Sequence, residues 1–205
     1  MRKVIVSQFL TLDGVAQAPG GPDEDTDSGF AYGGWQVPYF GEDDSDTMSY
    51  VFDNMGAMLL GRKTYDIFAD YWPHAGDGEQ ELIGDNDASI ATLMNGVPIY
   101  VASHADTLKS WDNGDVTHLG DDLATEINAL KQQDGKDIIV WGSGDLVQSL
   151  IRENLIDEYF LMIHPLVLGT GKKLFGDDIP KQDLELTSSK TSKSGVLVLT
   201  YSVKK

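Results

Sequence analysis

The 205-residue chain contains no cysteine, which excludes disulfides, thiolate metal sites and a cysteine nucleophile. Positive charge is scarce: 15 Lys and Arg face 33 Asp and Glu, for a formal net charge of −18. Such a surface repels nucleic acid and anionic membranes, so neither is an expected partner. Solubility or a salty habitat is the plain reading of the acidity. It also repels anionic ligands at long range, but salt screens most of that beyond roughly 8 Å, so well-placed cations still act locally. The four histidines have no ligand spacing, and His164, just before Pro165, reads as a packed strand residue. No Gly-x-Ser-x-Gly elbow is present. No apolar run is long enough to cross a bilayer. The N-terminus mimics a signal peptide, with Arg2, Lys3 and Ala16-Gln17-Ala18, but Ser7, Gln8, Thr11 and Asp13 interrupt its apolar region. The expected location is the cytoplasm.

What is present alternates between two periods. Val4 to Leu12 reads as a central strand ending at Asp13-Gly14, followed by a Gly-, Pro- and Asp-rich segment from Val15 to Pro38. A loop this long is usually functional, and Phe30, Tyr32 and Trp35 argue for an ordered lid. Within it Asp23, Asp25 and Asp27 alternate like a calcium loop. The sixth and twelfth positions hold Ser28 and Gly34 instead of Gly and Glu, so no metal is expected. The acids Glu42, Asp43, Asp44 and Asp46 then precede Met48, Val51, Phe52 and Met55, the spacing of an amphipathic helix.

Two strand-to-helix turns stand out. The first follows the strand Ala57 to Leu60 and reads Gly61-Arg62-Lys63-Thr64-Tyr65, with Phe68 and Trp72 continuing at helical spacing. Cations and a hydroxyl at a helix start suit phosphate oxygens; a solvated basic turn is the alternative. The second follows Ile138 to Trp141 and reads Gly142-Ser143-Gly144-Asp145-Leu146. Glycines there let an anion approach the backbone, and Asp145 is a candidate cap. Val147 stands where a dinucleotide fingerprint needs a third glycine, so an ordinary βα turn is equally compatible.

The remaining elements complete the alternation. They are a helix from Ser89 to Asn95, strands from Val97 to Ala102 and Val116 to Leu119, and a helix from Asp121 to Gln133. An apolar strand from Tyr159 to Leu168 follows, then Lys172-Lys173 and a hairpin of Asp183 to Thr191 with Val196 to Val203. The expected fold is α/β: one three-layer αβα domain over residues 1–205, with a mostly parallel central sheet and a C-terminal antiparallel hairpin. Ligands in such sheets bind beyond the carboxyl ends of the strands, where Gly61, Ser103 and Gly142 lie.

Thr11-Leu12-Asp13-Gly14, Leu60-Gly61-Arg62-Lys63-Thr64-Tyr65, Gly142-Ser143-Gly144 with Leu146, and Pro165-Leu166-Val167-Leu168-Gly169 occur in this order. Together they resemble the dihydrofolate reductase-like superfamily, and within it the C-terminal reductase domain of riboflavin biosynthesis (RibD) and its small stand-alone members. The resemblance implies an enzyme, an NADPH-dependent oxidoreductase passing a hydride to a small pterin- or pyrimidine-like heterocycle. By that resemblance the turn Gly61, Arg62, Lys63 and Thr64 meets the cofactor phosphates and Ser103 helps hold the ribose 2′-phosphate. Gly142, Ser143, Gly144 and Asp145 cradle the pyrophosphate with Leu146 behind them. Asp13 borders the nicotinamide, and Asp44, among Asp43, Asp44 and Asp46, is the candidate carboxylate for protonation. A homodimer is implied as well. Two alternatives stay open: the specific reduction of 5-amino-6-(5-phosphoribosylamino)uracil, with Lys172 and Lys173 for its phosphate, and a non-catalytic NADPH-binding module.

Overall fold

The computed structural model describes residues 1–39, 47–75, 87–112 and 114–205. Among the described residues eight strands form one sheet. The first strand, β1 (Val4–Thr11), is central and lies parallel to β5 (Asp137–Trp141) on one side and β6 (Glu158–His164) on the other. Beyond β5 come β2 (Met55–Gly61), β3 (Ile99–Ala102) and the edge strand β4 (Val116–Leu119), all parallel. The C-terminal pair β7 (Leu184–Thr191) and β8 (Leu197–Val203) joins through the antiparallel contact of β8 with β6. The expected mixed sheet is therefore present.

Alternation along the central strands divides the core into two layers. Ile5, Met58, Leu60 and Ile139 pack on one face against α1 (Ser49–Asn54), α2 (Arg62–Tyr71) and α3 (Asp87–Asn95). Val4, Val6, Leu59, Ile138 and Val140 pack on the other against α4 (Leu123–Gln132) and α5 (Gly144–Arg152). Burying an aliphatic side chain on either face contributes about 1.5–3 kcal/mol against leaving it exposed.

Several boundaries differ from the sequence reading by a few residues, and three of them have a clear local reason. The helix expected to reach Met55 stops at Asn54, and Met55 opens β2. A Cβ on Gly56 would lie 2.7 Å from the Lys136 carbonyl oxygen, so glycine there lets β2 come against the residue preceding β5. β3 starts at Ile99 because Pro98 has no N–H to give, although its carbonyl accepts from Met58 N at 2.9 Å. β6 ends at His164, not Leu168: Pro165 interrupts the ladder and Leu166 N turns back to the His164 carbonyl at 2.8 Å.

Candidate active site

β2 and β5 are neighbours, so the two helices that follow them start side by side at the carboxyl edge of the sheet. Ser143 joins the two turns. Its Oγ donates to Thr64 Oγ1 at 2.7 Å and accepts from Gly61 N at 3.0 Å. To do so Ser143 adopts left-handed backbone angles (φ 60°, ψ 74°), which cost roughly 1–2 kcal/mol for a residue with a Cβ. Gly61 is obligatory at this crossing, because a Cβ would come within 2.5 Å of Ser143 Oγ.

Neither helix start is capped by a side chain. Asp145 does not cap α5; Ser143 occupies the N-cap position and spends its hydroxyl on the neighbouring turn. By contrast, Asp122 caps α4 by accepting from Thr125 N at 3.1 Å. Among the described residues the first-turn amides of α2 and α5 therefore find no capping side chain, and they present partial positive charge to a common space. A Cβ at Gly144 would meet nothing within 4 Å, so that space is open.

The space is a cavity of about 1530 Å³ whose wall includes all ten candidate cofactor residues: Gly61, Arg62, Lys63, Thr64, Ser103, Gly142, Ser143, Gly144, Asp145 and Leu146. Ordinary small-molecule pockets span roughly 300–1,000 Å³, so this one has room for a dinucleotide and a second ligand. Arg62 is held by its Nε, 2.8 Å and 2.9 Å from the two Asp66 oxygens, and by Nη1, 2.7 Å from the Thr107 carbonyl. Ser103 shapes its own turn, its Oγ accepting from Ala105 N at 3.1 Å. Leu146 is buried behind the turn against the second core layer.

The two candidate catalytic carboxylates fare differently. Asp44 lies outside the described residues. Asp13 is not part of the cavity wall: its oxygens accept from Thr11 Oγ1 (2.6 Å), Gly169 N (2.8 Å) and Leu168 N (3.3 Å). The Thr11 hydroxyl, chiefly, holds its carboxyl below the usual range. Asp13 thus ties the end of β1 to the segment after β6.

The segment that follows β1, through Tyr39, closes on the same cavity. Lys63 Nζ reaches Asp27 at 2.8 Å, and Lys172 Nζ reaches both Asp25 and Asp27 at 2.6 Å. Glu24 lines the cavity, where burial pushes its carboxyl above the usual range while the Gly20 and Gly21 amides pull the other way. His164 is 2% exposed and meets Phe9, Trp35 and Tyr39 edge-on, so its reading as a packed strand residue holds.

Sequence reasoning missed four polar groups in the same wall. Ser7 Oγ, Gln8 Oε1, Trp72 Nε1 and Trp141 Nε1 are buried and have no hydrogen-bond partner among the described residues. The available signal was Ser7-Gln8 in the middle of an otherwise apolar central strand. Among the described residues no His or acidic cluster could hold a metal ion.

The model of the RibD C-terminal domain family matches residues 2–198. The protein YyaP of Bacillus subtilis (strain 168), itself uncharacterized, is 30% identical over 204 residues, covering 98% of this chain and 94% of its own. Among solved structures, a putative riboflavin biosynthesis protein from Shewanella sp. PV-4 superposes with a TM-score of 0.68 at 19% identity, with 99% of each chain covered. The dihydrofolate reductase of Enterococcus faecalis, solved with NADP(H), superposes with a TM-score of 0.59 at 13% identity, covering 99% of this chain and 97% of that one. With its family match running from Arg2 to Val198 over a dihydrofolate reductase-like sheet, the chain belongs to the RibD C-terminal domain family.

Proposed function

We propose that the protein is an NADPH-dependent reductase that transfers a hydride to a small, planar N-heterocyclic acceptor. The observation that carries this reading is the Ser143 junction, which fixes two uncapped helix N-termini on one cavity. Oriented backbone amides at such positions hold a pyrophosphate without needing side-chain charge. That arrangement suits a chain with a net charge of −18.

The residues present fit the cofactor. Gly142 to Gly144 and the 61–64 turn would hold the phosphates, with the remaining Arg62 N–H groups and Ser103 available to the 2′-phosphate. A bound nicotinamide would supply the hydride, and one proton from solvent would complete the balance: acceptor, NADPH and H⁺ become reduced acceptor and NADP⁺. The chain's own contribution is orientation and exclusion of water. Trp141 and Leu146 wall off the sheet edge, and the segment carrying Asp25 and Asp27, fastened through Lys63 and Lys172, covers it.

The narrower reading, reduction of a phosphoribosylamino-uracil, draws little support from Lys172, whose amine is taken by two aspartates. The test is direct. NADPH added to the purified protein should quench tryptophan emission and excite the nicotinamide, and a panel of heterocycles should then oxidise it. Absence of energy transfer with both NADPH and NADH overturns the reading. Binding without turnover by any acceptor leaves a nucleotide-binding module instead.

A further inference from the structure

The four tryptophans fall into two pairs. Trp35 Nε1 donates to the Gln17 carbonyl and Trp111 Nε1 to Asn95 Oδ1, each at 2.7 Å. Trp72 and Trp141 are each 6% exposed, line the cavity, and have N–H groups that donate to nothing among the described residues. An indole N–H is a donor only, and leaving a buried donor unpaired costs about 1–3 kcal/mol. Two such donors on one cavity therefore call for acceptors that arrive from outside the chain.

Their surroundings define what those acceptors belong to. Trp141 and Ser7 are register partners on β5 and β1, and both side chains alternate onto the face occupied by α1 to α3. Ser7 Oγ is also unpartnered and 2% exposed. Phe9, Phe52 and Phe68 pack on that face, and Phe52 lies 5.9 Å from the Trp141 ring at 33°. Flat aromatic walls select a flat ligand. Neutral donors in an apolar setting select carbonyl oxygens over ionised groups, whose desolvation they do not offset.

We propose that Trp72, Trp141 and Ser7 form the acceptor subsite, and that it takes an uncharged, planar ring bearing two carbonyl oxygens, of the quinone or cyclic-imide kind. The two indole N–H groups donate to the oxygens, and the Ser7 hydroxyl serves either a carbonyl or a ring N–H. The placement rests on the reductase reading, in which the hydride acceptor shares the cavity with the cofactor, and it widens that reading's acceptor from N-heterocycles to any planar dicarbonyl ring. The donor pairing itself is read from the protein alone.

The experiment follows the four indole N–H signals by ¹⁵N NMR in the full chain, assigned with single Trp→Phe variants. Menadione and phthalimide are titrated with and without NADP⁺, alongside 2-methylnaphthalene, which has the shape without the oxygens. The expected result is that both carbonyl probes shift the Trp72 and Trp141 signals and leave those of Trp35 and Trp111 in place. Affinity for menadione should exceed that for 2-methylnaphthalene by about tenfold or more, and Trp72→Phe or Trp141→Phe should each remove about that factor. Equal binding of the two hydrocarbon frames, or no movement of either indole signal, overturns the proposal. So does preferential binding of 2,4-diaminopyrimidine, which would mark a carboxylate-anchored site, or indole signals explained by ordered water only. Failure of NADP⁺ to bind while the indoles still respond counts against the reductase reading and not against this subsite.

Discussion

Ser143 and Thr64, 79 positions apart, share a 2.7 Å hydrogen bond that locks two helix starts together. The same oxygen receives the Gly61 amide, so one hydroxyl sets the spacing of the cavity edge where the two helices start. Ser143→Ala should lose both bonds and keep the left-handed strain, destabilising the protein by about 1–3 kcal/mol. Ser143→Gly should cost less, because glycine adopts that conformation freely. Gly61→Ala should abolish cofactor binding through its 2.5 Å clash, and adding Ser143→Gly should restore part of it. Urea midpoints and NADPH titrations of the four proteins check the order.

Arg62 is prepositioned by Asp66 and the Thr107 carbonyl, which leaves further N–H donors for a ligand. Arg62→Ala should weaken NADPH binding by about ten- to a hundredfold, the value of a charge-assisted contact, and leave NADH binding nearly unchanged. Parallel fluorescence titrations with both cofactors read the difference. Equal losses would remove the 2′-phosphate from this residue's contacts.

Burial holds the His164 imidazole below its ordinary value of 6.5, although the Leu10 and Met162 carbonyls oppose that shift. The native state therefore resists the proton that the unfolded chain accepts. Stability from this residue is complete above about pH 6.5 and is lost as pH falls through that value toward the folded one. His164→Phe should flatten the fall in urea midpoint between pH 7 and pH 5. A variant with the wild-type slope would assign the pH dependence elsewhere.

Asp27 is held at about 2, mainly by the hydrogen bond from Lys172 and then by that from Lys63. This exposed clasp joins the 15–38 segment to α2 and to the turn after β6, so it is open to screening by salt. Asp27→Asn should raise the rate of proteolytic cleavage within that segment several-fold at low salt, with the gap to wild type closing at 1 M. Cleavage rates followed by mass spectrometry decide it.

The helices, the parallel core and the two strand-to-helix turns were legible because each rests on local pattern: periodicity, glycine and a strand end. The meeting of Gly61, Ser103 and Gly142 on one cavity followed from a topological rule about strand ends. What was not legible depends on distant chain meeting distant chain. Asp13 looks like a cavity carboxylate by position, yet its partners Leu168 and Gly169 lie more than 150 residues away and turn it outward. Asp145 resembles a cap until Ser143 is seen reaching across to Thr64. Trp72 and Trp141 read as core from their spacing. Only an inventory of hydrogen bonds separates them from Trp35 and Trp111.

The position of β1 has a consequence for biosynthesis. Its neighbours in the sheet are residues 138–141 and 158–164, so β1 is made long before the strands it pairs with. At about 5–20 residues per second, Val4, Ile5 and Val6 wait on the order of ten seconds after emerging before β5 exists to receive them. Chains stopped short of residue 138 would carry an apolar strand with no neighbour, a natural client for holdase chaperones and a reason for yield to fall steeply in C-terminal truncations.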